Sequence, residues 1–172
     1  MLTSKIDYYI SLTSSTLKMS YNVYLVEYSG WQRNHHVIFV ETHEDGEKSG
    51  YIYQVSGNIQ QGMSYEHKKA KRPENSKTYD CKRLLGTVTI ANYPYIRGIC
   101  DSIPPPKKQF NGTRQLYPNE PLRRCQEWTA EAIQALTSQG ILQASSGSVV
   151  ASSSSSEFWT WSDQYQRFYH KC

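Results

Sequence analysis

One stretch of this 172-residue chain repeats apolar side chains at helical spacing, and it carries a cysteine near its start. Leu122, Cys125, Thr129, Ala132, Ile133 and Leu136 share one stripe, and Gly140 stops the run. Asn119 is placed to cap this helix, and Pro121 suits an early helical position where a missing amide hydrogen costs little. Everything upstream reads differently. Segments 21–28, 35–41, 50–55 and 84–90 are short and rich in Val, Ile and Tyr. Ser29-Gly30 and the charged Glu44-Asp45-Gly46-Glu47 separate them as turns should. Several short strands followed by one helix predict an α+β domain, a small antiparallel sheet packed against the helix that bears Cys125.

The rest of the chain sets the limits of that domain. Residues 1–20 are Ser/Thr-rich and weakly patterned, so a flexible extension is expected there, with a single domain over 21–172. Residues 144–156 are almost all Ser, Ala, Gly and Val and predict a mobile segment. The stretch 157–169 is too aromatic to float free and is expected to pack back as a short helix. Only 38% of residues are hydrophobic, but 14 Tyr, 4 Trp and 4 Phe still supply a core.

Charge and cysteine usage narrow the function. The net charge of +4 is concentrated in His67-Lys68-Lys69-Ala70-Lys71-Arg72, which reads as a solvated loop and not as a nucleic-acid footprint. No segment approaches the roughly 18 apolar residues of a bilayer span, so no integral membrane segment is expected. Cys81, Cys100, Cys125 and Cys172 show no C-x-x-C spacing, and the first twenty residues lack a signal-peptide core. Free thiols in the cytoplasm are the resulting expectation. No metal-ligand motif or Gly-rich phosphate cradle appears, so neither metal nor cofactor is expected. His43, His67 and His170 read as surface residues.

A thiol near a helix N-terminus feels the positive end of the helix dipole, which favours the thiolate nucleophile. Arg123 and Arg124 add positive charge, and a nearby imidazole would complete the activation. Strand 35–41 opens with two histidines. Alternation puts His35 and His36 on opposite faces, so only one can meet the thiol.

The helix start Arg124-Cys125-Gln126-Glu127-Trp128 resembles the Asn-Cys-Glu-His-Phe start of the lecithin:retinol acyltransferase group. His35-His36-Val37-Ile38-Phe39-Val40 resembles that group's His-Trp-Ala-Ile-Tyr-Val strand. The chain is also similar to small fungal proteins with a Cys-Gln-x-Trp helix start. The resemblance covers roughly residues 21–142 and implies a circularly permuted papain-like fold of the NlpC type. It implies Cys125 as nucleophile, His35 as base with His36 as the alternative, and Gln54 in the place of the residue that orients the imidazole. The oxyanion would be held by the Cys125 amide and one further donor, for which Tyr24 is the candidate. The expected activity is hydrolysis, transfer or cyclisation at an amide, ester or thioester carbonyl of a small-molecule, peptide or acyl substrate. The alternative is a catalytically inactive binding module or effector that retains the scaffold.

Overall fold

The computed structural model describes residues 19–31 and 33–145. Residues 1–18, most of the 144–156 tract and the aromatic 157–169 stretch lie outside the described residues. Among the described residues there are eight strands: β1 (Ser20–Tyr28), β2 (His35–Glu41), β3 (Gly50–Asn58), β4 (Gly62–Ala70), β5 (Tyr79–Thr89), β6 (Phe110–Asn111), β7 (Arg114–Gln115) and β8 (Gln143–Ala144). Two α-helices, α1 (Tyr95–Ser102) and α2 (Cys125–Ser138), and one 3-10 turn (Pro73–Asn75) complete the described chain. Six strands form one antiparallel sheet in the order β4-β3-β2-β1-β5-β8, and β6 with β7 makes a small separate hairpin.

The α+β architecture expected from the strand and helix patterns is therefore present, with differences in detail. The basic run is not a loop. His67, Lys68, Lys69 and Ala70 belong to β4, which pairs with β3 along its whole length. Lys68 and Lys69 bridge Glu66 and Asp45, and the His67 ring stacks 5.2 Å from that of Tyr51. Lysines on an edge strand discourage pairing with other chains, so a charged run and a strand are compatible. Helix α1 also escaped the sequence pattern, because it is only eight residues long and buries just Ile96 and Cys100. At the far edge, Ala144 pairs with Gly86 and the Ser145 amide donates to Leu85. The head of the Ser-rich tract is thus tied to the sheet. Gly86 has φ +155°, and a Cβ there would sit 1.9 Å from the Gln143 carbonyl oxygen, so β8 can close only on glycine.

The two faces of the sheet have different tasks. Val23, Ile38, Val40, Tyr53 and Val55 face α2 and pack with Cys125, Trp128, Ala132 and Leu136. Alternate residues on the same strands, Val26, Val37, Phe39 and Ile52, form a second cluster on the opposite face. Trp128 is the largest fully buried side chain among the described residues, and its indole N–H donates to the Ile103 carbonyl at 3.1 Å. It joins α2 to the sheet and to the segment after α1. We expect Trp128→Ala to cost about 3–5 kcal/mol in urea unfolding. Trp31→Ala, which removes a solvent-exposed ring, should stay within about 0.5 kcal/mol.

Candidate active site

Helix α2 starts later than the sequence cues indicate. Asn119 and Pro121 do not cap it. Arg124 is the N-cap and Cys125 the first helical residue, while Leu122 precedes the helix. Tertiary contacts explain the shift. The Gln109 side chain donates from Nε2 to the Arg123 carbonyl at 2.5 Å and accepts the Arg123 amide at 2.8 Å. This pair holds the backbone before Cys125 in a non-helical path. The Arg123 guanidinium donates to Glu131 and to the Pro104 carbonyl. Glu127 then accepts the Arg124 amide at 2.7 Å, the half of a capping box that an arginine N-cap allows. Gln109 is 5% exposed, yet nothing in its sequence neighbourhood marks it as a latch.

The thiol sits in a protected place, 6% exposed. Burial pushes its pKa up, and the Glu127 carboxylate adds to that. The backbone amides of His36, Gln126 and Cys125 itself pull the other way, but burial wins. The expectation of a helix-stabilised thiolate is corrected accordingly. Cys125 therefore rests as a neutral thiol, with three backbone amides beside its sulfur. Cys100 is a second buried free thiol, raised to about 12 by burial alone. Cys81 is disulfide-bonded, which corrects the expectation of a free thiol at that position.

The two histidines of β2 part company as alternation requires. His36 lies on the face that carries Ile38 and Val40, which is the α2 face. Its carbonyl accepts the Thr129 hydroxyl of α2 at 3.3 Å, and its Nε2 lies 3.5 Å from Glu27 Oε2. Glu27 is the residue directly opposite His36 on β1. Burial lowers the His36 pKa, against the opposing pull of Glu27. His36 is therefore a neutral imidazole at neutral pH, able to accept a proton.

His35 shares the other face with Val37 and Phe39. Its Nε2 and Gln54 Oε1 are 2.8 Å apart, and Gln54 Nε2 donates to Glu66 at 2.6 Å. The His35–Gln54 partnership thus forms, but on the side of the sheet opposite α2. Tyr24 stands on that face too, opposite Phe39 in the β1–β2 ladder, with its hydroxyl accepting from Asn22 at 3.2 Å. Of the site residues read from the sequence, the structure gathers Cys125 and His36 on one face and leaves His35, Gln54 and Tyr24 on the other. Period-two alternation separates the histidines in any strand, but which face receives the helix is set by packing. Glu27 went unnoticed because its role comes from cross-strand register; a carboxylate at the end of one strand opposite a histidine in the next is the only trace.

Fold and site together define an α+β protein with an antiparallel sheet, a cysteine at a helix N-terminus and a histidine–carboxylate pair on the same sheet face. The sequence matches a family of unknown function (DUF6540) over residues 23–143, and the chain belongs to that family. No curated protein and no solved structure matches it. No helix among the described residues is long and apolar enough to cross a membrane.

The depressed His36 pKa has a consequence for folding. A group whose folded pKa lies below its ordinary 6.5 contributes stability above that pH and loses it as pH falls toward the folded value. The stability difference between wild type and His36→Gln should therefore shrink as urea unfolding is repeated from pH 7.5 down to pH about 5. A difference independent of pH would mean that His36 is not held neutral.

Proposed function

We propose that this protein carries out cysteine-dependent acyl chemistry in a permuted papain-like fold, with Cys125 as nucleophile, His36 as base and Glu27 as the carboxylate that orients it. The observation that carries this reading is Cys125 at the first position of α2, on the sheet face that also holds the His36–Glu27 pair.

The chemistry follows from those groups. With the Nε2 hydrogen turned to Glu27, the other imidazole nitrogen carries the lone pair that takes the thiol proton. The sulfur then bonds to the carbonyl carbon of an amide, ester or thioester, and the carbonyl electron pair moves onto oxygen. Amide hydrogens at the start of α2 accommodate that oxyanion. Its collapse breaks the bond to the leaving group, which takes the proton from His36. Water, or an amine or hydroxyl acceptor, gives His36 its proton and releases the acyl group. Glu27 stabilises the imidazolium at each stage, a role that the uncharged Gln54 could not fill for His35. The substrate is a small-molecule, peptide-like or acyl carbonyl compound. A second reading, a binding module that retains the scaffold, is favoured by the burial and raised pKa of Cys125.

Single variants separate the two. Intact-mass measurement after incubation with activated esters and thioesters should show an adduct on wild type and none on Cys125→Ala. His36→Ala should slow adduct formation about 10²–10⁴-fold, the usual contribution of a positioned base. His35→Ala should leave the rate within a few-fold. Equal rates of adduct formation in wild type and His36→Ala, or no adduct with any donor, would favour the binding module.

A further inference from the structure

We infer that Asn34 is the positioning residue that couples nucleophile and base, its side chain holding Glu27 and its backbone holding the start of α2. The inference rests on the catalytic reading above and deepens it. Asn34 Nδ2 carries two hydrogens and has two carboxylate partners, Asp80 Oδ2 at 2.6 Å and Glu27 Oε2 at 3.3 Å. The same Glu27 oxygen lies 3.5 Å from His36 Nε2. One amide therefore bridges two like charges and fixes the carboxylate that faces the imidazole. On its other side, the Asn34 carbonyl accepts a hydrogen bond from Gln126 Nε2 at 2.6 Å. Gln126 follows Cys125, and its own backbone amide favours the thiolate.

The residue type is specific to this task. Only a side-chain amide of this length offers two donors to two carboxylates without adding charge. Aspartate would place a third carboxylate beside Glu27 and Asp80, and alanine would leave both without their bridge. The turn that delivers Asn34 is equally constrained. A Cβ on Gly30 would lie 2.3 Å from the Arg33 carbonyl oxygen, so this close approach requires glycine. The linkage joins strand β1, the β1–β2 turn and helix α2 through one residue.

The test measures iodoacetamide alkylation of Cys125 at pH 7.5 in the full chain, by peptide mass spectrometry, for Asn34→Ala, Glu27→Ala, the double variant and His36→Ala. Misplacing a reacting group by about 1 Å costs on the order of 10²-fold, so Asn34→Ala should slow alkylation by about tenfold to a hundredfold. The double variant should be no slower than Glu27→Ala alone, because both changes remove one unit. Asn34→Asp keeps the size and the backbone carbonyl, and its extra negative charge should raise the His36 pKa followed by NMR. This variant carries the test if Asn34→Ala fails to fold. A wild-type rate in Asn34→Ala, losses that multiply in the double variant, or an unmoved His36 pKa in Asn34→Asp would overturn the inference. If His36→Ala alkylates at the wild-type rate, the catalytic reading itself fails. If His36→Ala is slow while Asn34→Ala is not, only the role of Asn34 falls.

Discussion

The seating of α2 across the middle of the sheet is the constraint on which the rest depends. Trp128, Ala132 and Leu136 are fully buried against one face, with Thr129 bonded to the backbone of β2. Once that ridge is in place, the first residue of α2 must lie over the first residues of β2. This brings the Cys125 thiol to the backbone amide of His36 and the Gln126 side chain to the Asn34 carbonyl. Close packing leaves little freedom in the arrangement, because a buried ridge cannot slide without opening voids.

The helix start is held from the other side by polar contacts. Gln109 binds both backbone groups of Arg123, and Arg123 in turn ties Glu131 and the carbonyl of Pro104. These contacts satisfy backbone groups that neither helix nor sheet can satisfy, as buried polar groups require. They also decide that Cys125 stands at the first helical position, where amide hydrogens are free of intrahelical partners. A helix begun at Pro121 would have placed the cysteine a turn further in, with its own amide committed to the ladder.

The electrostatics of the site form one balance. Burial keeps the thiol protonated and the imidazole neutral, so neither group is charged at rest. In the proposed reaction, amide hydrogens on one side and Glu27 on the other stand where negative and positive charge would develop. A thiol and imidazole that are both neutral cost less to bury than a standing ion pair. On the far face, the chain from His35 through Gln54 to Glu66 ends at a partly exposed carboxylate bridged by Lys68.

Local pattern determined much of this protein. The β2 range was legible to the residue, and β1, β3 and the core of α2 followed from β-branched runs and helical spacing. The separation of His35 from His36 was equally fixed by the pleat. Tertiary structure decided the rest. The basic segment became strand β4 because β3 offered a complete hydrogen-bonding edge, which outweighs the cost of placing lysines in a strand. The helix start moved to Cys125 because Gln109, sixteen positions earlier, captured the backbone of Arg123. That His36 and not His35 shares the face of α2 came from which face buried Trp128, and its pairing with Glu27 came from register between β1 and β2. Periodicity tells which residues share a face, but only the packed partner tells which face is inside.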